Sequence, residues 1–418
     1  MSRLERFRLA SLAAVLAGVG LLAGCVKGGP DVSSSPPPGP SSPSAGAGYT
    51  LAFSSPSPTN LADSWVVRVP RPPQNATSSG QWEADVLPPA FGTKLVTDEN
   101  GAVWIAGSRA VYSTHAGVLK GAQEYPLPHG RELVAASLIK AGDGVLAIYN
   151  TGTIGGRYLT RAYLMNRDSR QVQSAQLESV PGPSAFGARK WLMVTGGSAS
   201  AKSAALLQFD FGTGNSKRVM EWDWWHPPGS VSSETAPVSG LFRAQGRFYL
   251  VVQVWRVDGS GLVSPFSNGK GAMLRLVELA PESSVPVKSW LLGYFDESVA
   301  DTRDGKVNAV AAAALGGHFA DGAFWYVNSA SQVMRVDLQA RTQSLAFSLP
   351  KCLDRADQAA ASWAGESLSV VGSLEDDACL VEMSLRDGAI KSLASIPGLG
   401  RWARERGVVP TGISSPPA

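Results

Sequence analysis

Residues 321–350, DGAFWYVNSASQVMRVDLQARTQSLAFSLP, read as a small unit that recurs along this chain. Gly322 opens an apolar run, Ala323 to Val327. A polar turn leads to a second run, Gln332 to Leu338, and another turn to a third run that stops at Pro350. Short runs rich in β-branched and aromatic residues, bounded by Gly, Asn, Asp and Ser, read as strands in hairpin succession. Proline has no amide hydrogen to give to a ladder, so Pro350 belongs at a strand end or an outer edge.

Working outward, the unit recurs. Its second strand is the clearest, at Val103–Gly107, Val145–Tyr149, Trp191–Thr195, Phe248–Val254, Ala323–Val327 and Leu368–Val371. The third follows at Ala110–Thr114, Tyr158–Asn166, Ala204–Phe211, Ala272–Leu279, Val333–Leu338 and Cys379–Leu385. Four-stranded units repeating at roughly 40–50 residues mark the blades of a β-propeller. Two wider intervals require insertions, at 256–271 and 293–308, and both are turn-rich. Ala309–Leu315 is the nearest approach to a helix, and Gly316-Gly317 stops it. These units make six blades. At the front, Tyr49–Phe53, Trp65–Val69 and Gln81–Leu87 read as second, third and fourth strands without a first; at the back, Gly407–Ile413 reads as a first strand with nothing after it. Joined, they make one more blade and close the ring. The expected fold is therefore all-β, a seven-bladed β-propeller over 48–413. Six blades remain an alternative, as do eight if 285–315 builds its own.

Ahead of this domain lies a different kind of sequence. Arg3, Arg6 and Arg8 precede an apolar core, Leu9 to Leu22, shorter than the ~20 residues a membrane-spanning helix needs. Leu22-Ala23-Gly24-Cys25 follows directly and resembles the lipobox of bacterial lipoproteins. That resemblance implies a signal peptide over 1–24, cleavage before Cys25, and diacylglycerol with palmitate-type acyl chains on its sulfur. Each buried methylene contributes about 0.8 kcal/mol, so two or three chains anchor stably. Alternatively, the segment is a plain secretory signal with an incidental cysteine. Residues 25–47 are Pro/Ser/Gly-rich and are expected to be a disordered linker, as is a tail at 414–418. Val26 supplies no aspartate-type signal for inner-membrane retention, so the expected location is the extracytoplasmic face of the cell membrane, or the outer membrane where one exists.

The formal charge of +3 gives no electrostatic case for nucleic acid. With Cys25 assigned to lipid, Cys352 and Cys379 remain as an even pair in an oxidising compartment and are expected to form a disulfide, the alternative being two buried thiols. Glu221-Trp222-Asp223-Trp224-Trp225-His226 is the most unusual stretch, since indole faces and carboxylates together suit a sugar or another flat ligand. Alternatively it is a fourth strand, with Trp222 and Trp224 inward and Glu221 and Asp223 outward. Asp296, Asp301 and Asp304 with Gly305 crowd one insertion but lack the spacing of a calcium loop. His115, His129 and His318 lie in separate repeats, and Asn75-Ala76-Thr77 matches a glycosylation triplet without consequence in a bacterial lipoprotein. No phosphate loop, nucleophile elbow, HExxH or CxxC occurs, and no cofactor ligand set is apparent.

The layout resembles bacterial propeller lipoproteins and the broad YVTN/quinoprotein-like propellers, in period and pattern across 48–413. It lacks the Trp-Asp strand ends of WD40 repeats, the Asp boxes of sialidases and the regular Gly-Gly doublets of kelch repeats. The expectation is a monomeric, non-enzymatic, lipid-anchored module that binds a protein or envelope glycan. The alternatives are a glycan hydrolase or lyase using Glu221 and Asp223, and a redox-cofactor propeller. Mass spectrometry of the mature amino terminus is expected to find a lipid-modified Cys25; an unmodified thiol on an unprocessed terminus would overturn the anchor.

Overall fold

The computed structural model describes residues 48–57, 61–71, 81–115, 117–130, 132, 134–154, 157–195, 203–223, 232–237, 239–244, 246–257, 263–264, 272–282, 287–295, 317–328, 331–353, 359–373 and 375–414. They form a ring of seven blades. Blade one takes β1 (Gly48–Ser54), β2 (Ser64–Pro70) and β3 (Glu83–Leu87) from the front of the chain and β30 (Val409–Ser414) from the back. Blade two is β4 (Lys94–Thr97), β5 (Val103–Ala106), β6 (Ala110–Thr114) and β7 (Gln123–Pro126). Blade three is β8 (Val134–Lys140), β9 (Gly144–Ile154), β10 (Arg157–Asn166) and β11 (Val172–Leu177). Blade four is β12 (Ser184–Gly187), β13 (Lys190–Thr195), β14 (Ser203–Asp210) and β15 (Asn215–Asp223).

Blade five has a first strand in two pieces, β16 (Ser232–Pro237) and β17 (Phe242–Ala244), both paired to β18 (Arg247–Val257). The two-residue β19 (Val263–Ser264) pairs with the far end of β18, and β20 (Ala272–Leu279) and β21 (Val287–Phe295) complete the sheet. Blade six is β22 (Gly317–Ala320), β23 (Ala323–Val327), β24 (Gln332–Asp337) and β25 (Thr342–Ser348). Blade seven is β26 (Ala359–Ala364), β27 (Ser367–Ser373), β28 (Ala378–Ser384) and β29 (Ile390–Ile396). Val287–Phe295 is thus the outer strand of blade five, and the described residues contain no eighth sheet. Ala309–Leu315 and most of the 293–308 insertion lie outside the described residues. Of the 256–271 insertion, the described part lengthens β18 into a hairpin with β19.

First strands of neighbouring blades touch, β30 with β4, β4 with β8 and β26 with β30, so they line the central channel. The core is divided among the interfaces rather than gathered at the centre. On β5, Val103 and Ile105 pack against Val66 and Leu87 of blade one, while Trp104 and Ala106 pack against Val145 and Tyr149 of blade three. Both faces of each inner sheet are covered, so Ala323–Val327 is buried at every position and reads as an unbroken apolar run. Fourth strands have one covered face and alternate. In blades four to seven the third–fourth pairing carries a register shift, at Leu206/Leu207, Leu274/Arg275, Val333/Met334 and Glu382/Met383. Such bulges twist an open edge away from pairing with another chain. Third–fourth turns are held by aspartates: Asp210 Oδ1 accepts from the Gly212 amide at 2.7 Å, and Asp337 Oδ1 from the Ala340 amide at 2.8 Å. Gly388 turns at φ 71° against the Phe347 ring, 2.8 Å from where a Cβ would stand, so no other residue fits there.

The ring closes as a ladder between β1 and β30, with Thr50 opposite Ser414, Leu51 opposite Ile413 and Ser54 opposite Val409. Ser414, expected in the tail, is the last residue of that strand. A short helix not foreseen in the sequence, α1 (Leu399–Glu405), precedes it. Seven residues are too few for a helical period to show. Trp402 on α1 meets Phe53, Trp65 and Trp82 edge-on at 5.6, 5.3 and 5.3 Å, and Arg406 lies over Trp65 and Trp402. Cys352, just after β25, is bonded to Cys379 on β28 with Cα atoms 6.2 Å apart, stapling blade six to blade seven. Replacing Trp402 by Ala is expected to destabilise by about 3–5 kcal/mol, and breaking the disulfide by about 3–4 kcal/mol. Urea unfolding of the variants and of the reduced protein measures both.

Candidate functional site

The stretch singled out in the sequence ends β15, the outer strand of blade four. Trp222 stands opposite Ala204 and is 8% exposed, packed into the core between blades four and five. Glu221 and Asp223 are exposed on the other face, and Arg218 Nη1 holds the Glu221 carboxylate at 2.6 Å. Alternation therefore runs through Asp223. Trp224, Trp225 and His226 lie outside the described residues, as do Cys25, Asp296, Asp301, Asp304, Gly305 and Asn75-Ala76-Thr77. The histidines are not brought together: His115 follows β6, His129 lies in the connection from blade two to blade three, and His318 is on β22. Among the described residues no three of His, Cys, Asp and Glu gather as a metal site.

What the sequence reading missed are carboxylates buried at or beside the blade interfaces. Glu132, 3% exposed, accepts from the Tyr163 hydroxyl at 2.7 Å and from Arg161 Nη1 at 3.0 Å. Glu278 accepts from Arg247 at 2.7 Å and from the Tyr249 hydroxyl. Glu382 accepts from the Tyr49 hydroxyl at 2.6 Å and from Arg71 at 3.2 Å, joining blade seven to blade one. Burial first, and then the adjoining carboxylate, push the Tyr49, Tyr163 and Tyr249 hydroxyls above the ordinary tyrosine range. A signal was available: Arg161-x-Tyr163 and Arg247-x-Tyr249 place cation and phenol on one face of a strand, both aimed at one carboxylate. Asp98 is a fourth case. Burial opposes its charge, but Trp104 Nε1 at 2.8 Å, the Ala102 and Asn100 amides and Arg167 of blade three outweigh it and lower its pKa.

The channel wall carries the remaining polar groups of interest. His318 Nε2 donates to the Gly365 carbonyl at 2.9 Å, and its ring stacks with Trp363 of blade seven at 6.1 Å. Burial lowers its pKa against the pull of that hydrogen bond, and Lys140 of blade three, across the ring, lowers it further. Lys94 starts the first strand of blade two, and burial holds its ammonium below the usual lysine range. The inner strands described with their side chains thus present Lys94, Lys140, Arg243 and His318 and no carboxylate.

No protein-family model matches the chain, and no curated protein matches it in sequence. Solved structures share its backbone course at low identity. One is a variant of apocarotenoid oxygenase from Synechocystis, 10% identical with a TM-score of 0.49, over 90% of this chain and 93% of that one. The protein AztD from Citrobacter koseri is 11% identical with a TM-score of 0.42, over 88% of this chain and 97% of its own. Dihydro-heme d1 dehydrogenase NirN is 10% identical with a TM-score of 0.43, over 92% of this chain and 78% of its own. Nothing about ligand or activity passes from them to this chain.

A tyrosine whose ionisation is pushed up by folding contributes stability that is complete below its unfolded value near 10 and is lost as pH rises through its folded value. Stability measured by denaturant titration is expected to lose the contribution of Tyr49 and Tyr163 only in that alkaline window. Tyr163→Phe is expected to destabilise by about 1.5–3 kcal/mol at neutral pH, the range for a hydrogen bond to a charged group, and to remove one late-titrating phenol from the ultraviolet titration.

Proposed function

We propose that this protein is a non-enzymatic binding module, held at the extracytoplasmic face of a membrane by lipid on Cys25, that engages a protein or envelope glycan with the end of the ring turned away from the membrane. One observation carries the orientation. β1 begins, and β30 finishes, at the end of the ring that bears the first–second and third–fourth turns. A tether at Cys25 reaches the ring from that proximal end. The opposite, distal end bears the second–third turns and the blade-to-blade connections.

Support for binding comes from the shape of the distal end. β9 and β10 run for 11 and 10 residues and β18 for 11, whereas β5 has 4 and β23 has 5. The hairpins of blades three and five therefore stand up on either side of blade four. Rigid sheets that carry raised loops at one end are the usual scaffold for recognition. Support for a non-enzymatic role comes from the carboxylates. Glu132, Glu278, Glu382 and Asp98 are each tied to framework arginine, tyrosine or tryptophan, and Glu221 to Arg218. The four buried carboxylates spend their acceptor atoms on the framework, which leaves them poorly placed to reach a substrate. The lipobox and the propeller period supply the lipoprotein reading, to which the YVTN/quinoprotein-like pattern adds family-level support.

A photo-reactive residue at Thr153, on the distal hairpin of blade three, is expected to capture a partner in intact cells, while one at Asp143, in the proximal turn of the same blade, captures none. Equal capture from both positions, or capture from Asp143 alone, overturns the orientation. Glu221→Gln with Asp223→Asn is expected to leave capture unchanged; loss of a glycan-cleaving activity in that variant would make the protein an enzyme.

A further inference from the structure

The outer strand of a blade leaves one row of backbone amides and carbonyls unpaired, and such a row is a template for another strand. Six of the seven outer strands carry a feature that discourages this. β15, β21, β25 and β29 pair with their neighbours across a register shift. β7 is short and ends in Pro126. β3 carries Glu83 and Asp85, and Asp85 Oδ2 accepts from the Leu119 amide of blade two at 2.7 Å.

β11, the outer strand of blade three, has none of these. Its sequence, VQSAQL, contains no charge and no proline. It pairs with β10 in unbroken register, from Val172 opposite Met165 to Leu177 opposite Thr160. That register also decides which groups face outward. Asn166 donates to the Gln171 carbonyl opposite it at 3.3 Å, so this pair and every second pair after it spend their amides and carbonyls on β10. Val172, Ser174 and Gln176 fall between them. Their amides and carbonyls point away from the blade and meet no partner among the described residues.

The side chains beside this edge select by charge. Gln173 and Gln176 lie on opposite faces of the strand. Arg189 Nη2 of blade four donates to Gln173 Oε1 at 3.0 Å, and Arg161 Nε to Gln176 Oε1 at 3.3 Å. Arg161 is paired with Glu132, whereas Arg189 is exposed and forms no ion pair with a described carboxylate. Asp168 and Arg170 in the turn before β11, and Glu178 just after it, are exposed beyond its two ends. Along the strand itself the unanswered charge is therefore positive.

We propose that the free edge of β11 takes an extended acidic segment of a partner protein as a fifth strand of blade three. The outward backbone groups of Val172, Ser174 and Gln176 supply the pairing, and Arg189 favours carboxylates in the incoming strand. The edge lies on the perimeter of the ring, apart from the distal end, and neither reading rests on the other.

The test is fluorescence anisotropy of the mature protein with a capped, labelled octapeptide of alternating valine and glutamate. Saturable binding that weakens as salt rises is expected. The same peptide with lysine for glutamate is expected to bind about tenfold more weakly, and the acidic peptide N-methylated at every amide not at all. Ser174→Pro removes only an outward amide, a place where an edge strand tolerates proline. It is expected to fold and to weaken binding about tenfold or more, with Arg189→Gln weakening it about two- to fivefold. Absence of saturable binding, equal binding of the lysine peptide, or parent-like binding by folded Ser174→Pro overturns the proposal. Should Ser174→Pro not fold, the N-methylated peptide decides, and its binding overturns the proposal. A parent dimer in sedimentation equilibrium that Ser174→Pro dissociates gives the edge to a second copy and overturns the acidic partner.

Discussion

A ring of radial sheets is stable only if it has no loose end, and here that condition rests on the pairing of β1 with β30. The last strand supplies the channel-side member of a blade whose other three strands were made some 360 residues earlier, Leu51 meeting Ile413 and Ala52 meeting Gly412. Without it the first blade would expose its inner edge, and the core of Tyr49, Leu51 and Phe53 against Val371 and Leu380 would lose its wall. The long loop thus closed carries an entropic penalty that grows only logarithmically with length, whereas the area buried is that of a full blade interface. The concentration of aromatic packing at this seam follows. Trp402 fits among Phe53, Trp65 and Trp82, and Trp82 Nε1 donates to the Pro397 carbonyl across the same boundary.

Apolar packing between sheets is not directional, so it does not by itself fix how far one blade slides on the next. The buried polar groups do. The Tyr49 and Arg71 bonds to Glu382, the Arg167 bond to Asp98, the Tyr149 hydroxyl on the Gly107 carbonyl and the His318 bond to Gly365 each cross from one blade to another. Any slip leaves a buried charge or donor unmet, at about 1–3 kcal/mol for a neutral group and more for a carboxylate. The disulfide does the same between blades six and seven by covalent means.

The strands, their order and the shared blade were legible because inner strands buried on both faces write themselves as apolar runs. Ala323–Val327 and Leu368–Val371 are readable without any partner in view. The seam helix was not, because Leu399–Glu405 is shorter than two helical turns and owes its place to Trp402 rather than to its own propensity. Nor were the carboxylate clamps, since Glu132 and Tyr163, or Tyr49 and Glu382, lie far apart in sequence and meet only once the ring is built. Trp222 and its acidic neighbours stood out by composition, yet composition alone could not say which face of β15 each would take.

Closure also gives the ring two structurally different ends. Both extremities of the chain leave the ring proximally, because a blade completed by a first strand from one terminus and a second strand from the other must have both at the same end. The long hairpins of blades three and five rise distally for an equally simple reason: second–third turns are remote from the channel-side contacts that bind neighbouring blades, so they lengthen without disturbing a core. The channel belongs to neither end. Its wall is made of the first strands of neighbouring blades, β30 against β4, β4 against β8 and β26 against β30.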